Sequence, residues 1–437
     1  MFTTFEECSF SNMTLDDEVQ ALRNSSKLSG LVTPAYDGRS ISNLCDTFSK
    51  VLGLSHSRPL KYDDLYGVAE SSENLIFLLL DGLGYKLIQH ALSGKGGVLS
   101  LQSFLDPSKG TIFHPITSVF PSTTSTATTT LHTGLTPQEH GVLGYTMYLE
   151  EIGAIAEMLK FTPLLGGRES LFDMGFQPET FINAETIHQK LARNGIVSNF
   201  YIQKWIVDSG LSKITIRGSE IYPHFSASDM FVSLRKNLEL GRSKFHFAYF
   251  ASPDSIAHHR GPLGDEFASE VDSLFYILRR ELIDKLDSNI AKKTTIIVSA
   301  DHGLINIEES NIIDVRDHHE LGRMLKVPPT GDSRVAFLHA KNGMQDRVID
   351  YFNSNPSFAN KFEVASSQHM LERGLLGLGK VKEEVYDRIG SVIAIPKVPV
   401  AIENSDIDPR PLPVPGRHGG LSEDEMLVPL IARRLAQ

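Results

Sequence analysis

The sequence predicts an α/β fold: a mostly parallel central sheet with helices on both faces and an inserted cap subdomain. Three observations carry that expectation. Near-continuous apolar runs at Asn74–Leu80, Lys244–Phe250 and Thr294–Ala300 have the composition of strands covered on both faces. Helical patterns alternate with them, most clearly where Phe267, Val271, Leu274, Phe275, Leu278 and Leu282 recur at helical spacing. Each run leads into an acid, Asp81, Asp254 or Asp301, and open α/β sheets bind ligands at the carboxyl ends of their strands.

Taken in order, residues 1–70 read as an N-terminal helical extension, with an amphipathic helix from Ile41 to Leu52 stopped by Gly53. The catalytic core is expected over 71–314 and 413–437, and the cap over 315–412. Within the core, residues 146–180 are less regular and contain Gly166, Gly167 and Arg168. A capped helix then ends at Gly195, and a strand follows from Ile196 to Ile202. In the cap, Arg334–His339 and Ser391–Pro396 read as strands and Gln345–Phe352 as a helix, and Pro409–Pro415 leads back to the core.

Composition narrows the classes. The chain has 437 residues, 41% of them hydrophobic, enough for a large buried core. The net charge of −11 argues against nucleic acid as a bulk-charge partner. No apolar run reaches the ~18 residues of a membrane span, and the N-terminus lacks the basic-then-apolar order of a signal peptide. Two cysteines, Cys8 and Cys45, are too few for a disulfide scaffold. A cytoplasmic enzyme without a membrane partner is the expectation; oligomeric state is not read from the sequence.

The segment Val119–Tyr145 breaks local propensity. From Thr123 to Thr130 every residue except Ala127 bears a hydroxyl, although β-branched Thr is a poor helix former. It follows a strand-like lead-in and a Pro-Ser pair, which reads as a strand running into a helix N-terminus. A hydroxyl there faces free backbone N–H groups and the positive end of the helix dipole.

Asp81, Thr124, Asp254 with His258, Asp301 with His302, and His418 together supply carboxylates, imidazoles and a hydroxyl. Asp254 and His258 are one helical turn apart and so share a face. Imidazole mixed with carboxylate suits Zn²⁺ or Mn²⁺ better than Ca²⁺ or Mg²⁺. The set is too large for one tetrahedral ion and suits two divalent metal ions. A single Asp-His pair is weak evidence of a ligand; four separate motifs, three closing apolar runs, are far stronger.

In this order the motifs resemble the type I phosphodiesterase/nucleotide pyrophosphatase family of the alkaline phosphatase superfamily. The resemblance rests on Asp81-Gly82, Phe120-Pro121-Ser122-Thr123-Thr124, Thr133-Gly134 through His140-Gly141, Pro253-Asp254 to His258 and Pro262, Asp301-His302-Gly303, and Gly416 to His418-Gly419. It implies an alkaline-phosphatase-like sheet and two zinc ions. Asp254, His258 and His418 would hold one ion; Asp81, Asp301 and His302 would hold the other, with Thr124 beside it. Thr124 rather than Thr123 matches the family's nucleophile by its spacing to Thr133-Gly134. Two departures stand out: Ser125 replaces the aromatic residue many relatives carry after the nucleophile, and Tyr145 replaces an Asn that donates to the phosphate. A phenol still donates one hydrogen bond.

The reaction so implied is hydrolysis of a small phosphoester, a phosphodiester or pyrophosphate, through a phosphothreonine formed on Thr124. A sulfatase would need a Cys or Ser in a motif neither cysteine has, and a phosphoglycerate mutase a Ser nucleophile. A phosphonoacetate-type hydrolase, a phosphomonoesterase and, in another class, a metal-binding pseudoenzyme acting as an interaction module are the alternatives. His140 and His259, though candidates for extra bases, read as supporting the site from behind the ligands or as structural.

Overall fold

The computed structural model describes residues 14–94, 97–165, 169–407 and 414–436. Gly166–Arg168, Cys8 and most of the Pro409–Pro415 lead lie outside these residues.

Seven strands form the central sheet: β1 (Asn74–Leu80), β2 (Ile112–Thr117), β3 (Ser198–Gln203), β4 (Glu220–His224), β5 (Phe245–Phe250), β6 (Thr294–Ser299) and β7 (Leu427–Arg434). Their order is β2-β7-β6-β1-β5-β3-β4. β1 pairs in parallel with β5 and β6, and β3 with β4 and β5; β7 alone runs against its neighbours. Every residue of β1 is buried, because helices cover both faces, which is why it reads as an unbroken apolar run.

A second sheet of seven strands is antiparallel throughout. The segment expected as a cap supplies Thr330–Asp332, Val335–Leu338, Phe362–Ser366 and Val392–Pro396. The remaining strands, Thr146–Leu149, Ala154–Glu157 and Thr162–Pro163, come from the stretch the sequence left irregular. Gly331 bridges to Thr146 where the two halves meet. Leu338, Phe352, Phe358 and Val392 belong to a separate, smaller apolar core on this sheet.

The N-terminal helices Leu15–Asn24 and Asp63–Ala69 are fastened to the edge strand through His114 of β2. Its Nδ1 lies 2.9 Å from a Glu18 oxygen and its Nε2 2.7 Å from Asp64, with the Tyr62 ring 4.5 Å away. Burial depresses the His114 pKa, but the hydrogen bonds to Asp64 and Glu18 outweigh it and raise the pKa to about 9. A raised folded-state pKa contributes stability that is complete below the unfolded value near 6.5 and is lost as pH rises through about 9. His114→Leu should therefore cost about 3 kcal/mol near pH 6, by removing the imidazolium that joins Glu18 and Asp64. That gap should narrow above pH 9 in melting curves; a gap independent of pH would overturn the imidazolium clamp.

Candidate active site

β6, β1 and β5 are adjacent, so the residues after their carboxyl ends share one edge of the sheet. Asp81 follows β1, and Asp301 and His302 follow β6. Asp254 and His258 lie one turn apart on helix Ser252–Arg260, which starts just after β5. His418 comes from the far end of the chain, placed by an antiparallel bridge between Ser122 and Gly419 and by the Ser122 hydroxyl, which donates to the Gly420 carbonyl. Gly416 is a close-approach position: a Cβ there would sit 2.3 Å from the Ala257 carbonyl oxygen.

The Thr-rich segment is helical from Thr124 to Thr133. The hydroxyls of Thr128, Thr129 and Thr133 donate to carbonyls four residues back, at 2.6, 2.7 and 2.7 Å. Burial of Ser125 through His132 holds a poor local helix former in place, and Gly134 ends the helix with φ +70°. Thr123 is the N-cap, and its hydroxyl donates to Asp332 at 2.7 Å. The Thr124 hydroxyl instead lies 3.1 Å from His302 Nε2.

Two groups of donors result, Asp254–His258–His418 and Asp81–Asp301–His302, the chosen atoms of each lying within 4.8 Å of one another. The rings of His302 and His418 stack at 3.9 Å, joining the groups. His258 Nδ1 faces the Gly416 carbonyl at 2.8 Å and His302 Nδ1 the Gly303 carbonyl at 3.2 Å. Those contacts fix tautomers that leave each Nε2 a lone pair. Asp301 Oδ1 accepts from the backbone N–H groups of Gly82 and His302, at 3.1 and 3.0 Å.

Electrostatics point the same way. Asp81 Oδ1, Asp301 Oδ2 and Asp254 Oδ1 are buried and have no hydrogen-bond partner among the described residues. Burial, then the charges of Asp301 and Asp254, push the Asp81 carboxyl well above its ordinary range. Burial likewise raises Asp254, to about 7, with Asp301 and Asp332 adding to it against the opposing pull of His302. Crowded, unbonded buried carboxylates beside imidazoles with oriented lone pairs fit divalent cations of the zinc or manganese kind.

Two residues in this shell were not singled out from sequence. Tyr249, near the end of β5, donates its phenol hydrogen to Asp81. Asp332, on the second sheet, accepts from Thr123 and sits 3.7 Å from His418 Nδ1. Tyr145 lines a cavity of about 310 Å³ together with Thr124, Asp254, His258 and His418. His140 is buried away from it, accepting from the Val142 N–H and facing the Thr130 hydroxyl. His259 borders the same cavity.

The family model for type I phosphodiesterase/nucleotide pyrophosphatase matches residues 75–421. No curated protein matches the sequence. Among solved structures, murine ectonucleotide pyrophosphatase/phosphodiesterase 5 superposes with a TM-score of 0.59 at 20% identity, over 82% of this chain and 88% of that one. An inactive form of the same murine protein in complex with AMP gives 0.59 at 19% identity, covering 83% and 88%. Phosphonoacetate hydrolase from Sinorhizobium meliloti 1021 in complex with phosphonoformate gives 0.57 at 19% identity, covering 83% and 90%. At these identities the likeness is one of fold, an α/β architecture shared with these proteins.

Proposed function

The chain belongs to the type I phosphodiesterase/nucleotide pyrophosphatase family, and we propose that it hydrolyses a phosphodiester or pyrophosphate bond with Thr124 as nucleophile. The observation that carries this reading is the Thr124 hydroxyl at a helix N-terminus, 3.1 Å from His302 and beside both donor groups. Asp254, His258 and His418 would hold one divalent ion, and Asp81, Asp301 and His302 a second. Bound there, such ions supply the positive charge that lowers the hydroxyl's pKa and offsets charge on the phosphoryl oxygens.

Thr124 Oγ, its proton released to solvent, bonds to phosphorus while the opposite ester P–O bond breaks, and the leaving oxygen takes up a proton. Water then attacks the phosphothreonine in line, freeing Thr124 and the phosphoryl product. Free N–H groups of the first helical turn and the Tyr145 phenol are the donors offered to the non-bridging oxygens. The substrate's ester group has a home in the adjoining cavity of about 610 Å³, which Thr124 and Asp81 share with Phe200, Trp205 and Tyr249. The inactive murine relative bound to AMP carries a threonine-to-alanine change, which agrees with a threonine nucleophile.

Charge favours a diester over a monoester. A monoester dianion presents three non-bridging oxygens and is commonly met by an unpaired guanidinium. No Lys or Arg occurs from Thr111 to His140. Arg388 donates to the Gly141 carbonyl and Arg217 to the carbonyls of Ile214, Ile182 and Ala184. Arg417, in the wall of the smaller cavity, is paired through Nη2 with Glu403 at 2.5 Å, while its Nε and Nη1 have no hydrogen-bond partner among the described residues. Of the described residues it is the one cation in that wall that could serve a third oxygen. We therefore expect kcat/KM for bis-p-nitrophenyl phosphate to exceed that for p-nitrophenyl phosphate by about tenfold or more, ~1.4 kcal/mol in barrier. A monoester preference would remove the phosphodiesterase reading. Turnover of phosphonoacetate above both would favour the second reading, carbon–phosphorus hydrolysis, to which the likeness to phosphonoacetate hydrolase lends support.

A further inference from the structure

β7 runs against the rest of the sheet, so its last residues lie at the edge opposite the catalytic groups, with Arg433 opposite Ile296 near the start of β6. A cavity of about 380 Å³ opens there, between helices Leu99–Phe104 and Asp265–Leu278. Arg433 lines it while only 3% exposed. Its Nε makes a long contact of 3.3 Å to the Arg434 carbonyl, and its guanidinium lies 5.4 Å from the Phe104 ring centroid. Among the described residues Nη1 and Nη2 have no hydrogen-bond acceptor and no ion-pair partner, and Asp106 acts on them only across space.

The Arg433 side chain is buried as a whole, but its Nη groups open onto the cavity, where they meet solvent rather than a protein acceptor. A ligand oxygen there gains a charge-assisted hydrogen bond. The surroundings favour one kind of ligand. Arg279 and Lys109 stand in the same wall, Lys109 donating to the Ser103 carbonyl and hydroxyl and lying 3.9 Å from Asp106. Ser100 adds a hydroxyl, while that of Ser108 donates to Asp106. Asp284 is the acid of the lining, and it is engaged by Arg279 at 3.3 Å. The cavity is therefore cationic in a chain whose net charge is −11. Phe104 and Phe275 close its apolar side.

We propose that this cavity binds a small oxyanion, a phosphate or a phosphoryl-bearing organic molecule, whose oxygens accept from the free fork of Arg433. A planar pair of donors matches two oxygens on one phosphorus, and the aromatic wall accommodates an organic substituent. The site stands apart from the catalytic groups and does not depend on Thr124 or on the metal ligands.

The test is made on the full chain. Crystals soaked in sodium tungstate should show anomalous density within hydrogen-bond reach of the Arg433 guanidinium, separate from any at the catalytic edge. Calorimetry with inorganic phosphate should then resolve a site that Arg433→Met weakens at least about tenfold. Arg279→Ala and Lys109→Ala, at the more exposed rim, should each weaken it several-fold without unfolding the protein, so a folding defect in the buried variant leaves the test intact. Phenylphosphonate binding this site more tightly than phosphate would assign an aromatic phosphoryl ligand, and equal affinity would assign free phosphate. No density at Arg433, or phosphate binding unchanged in the rim variants, would overturn the proposal.

Discussion

Thr124→Ala should yield a folded protein whose diester turnover is lower by about three orders of magnitude or more, because the covalent route disappears. The fold should survive for local reasons. Among the described residues the Thr124 side chain makes one hydrogen bond, to His302 at 3.1 Å, and Ala is the better helix former. The helix is held instead by its buried length, which lets the hydroxyls of Thr128, Thr129 and Thr133 satisfy themselves on carbonyls one turn back. Thr123→Ala is the matched control. It breaks the 2.7 Å bond to Asp332 and should cost about 1 kcal/mol of stability and far less activity. If Thr123→Ala proved the dead variant and Thr124→Ala an active one, the nucleophile would be the N-cap residue and the mechanism would need redrawing.

Removal of metal should have the second large effect. Chelation is expected to abolish turnover and to lower the melting temperature, and elemental analysis of active protein should find about two transition-metal ions per chain. The physical reason is the concentration of carboxylates. Burial and the neighbouring acids already push the carboxyls of Asp81 and Asp254 upward, so the edge of the sheet is unfavourable for anions until cations neutralise them. One ion per active chain, or full activity after exhaustive chelation, would rule out the two-ion arrangement.

What could be read from the sequence followed from locality. Asp81 and Asp301-His302 close buried runs, and Asp254 and His258 lie on one helical turn, so residue type and spacing singled them out; their division into two groups, and the place of His418, came from the family resemblance. Asp332 had no such signal. It sits on a three-residue strand, Thr330–Asp332, too short to show a period, and meets Thr123 only through tertiary packing. The strands between Thr146 and Pro163 escaped because they are short and half exposed, without an apolar run. β4 escaped for a related reason: it is a largely exposed edge strand that contains Pro223. β7 was hidden by Pro429, since a proline ordinarily argues against an interior strand. There Pro429 faces Pro115 of β2, and pairing with β6 begins only at Ile431, so its missing N–H interrupts no ladder on that side.

The position of β7 also bears on how the protein is made. A strand spanning residues 427–434 lies between β2 and β6, and His418 arrives on the chain just before it. While a ribosome is still adding those residues, β2 and β6 each present an open edge, the kind of surface along which unfinished chains pair with one another. The sheet cannot be completed before residues 427–434 are made, nor the donor group before His418 is made. In this architecture the proposed site is therefore completed only by a segment made after β1 to β6.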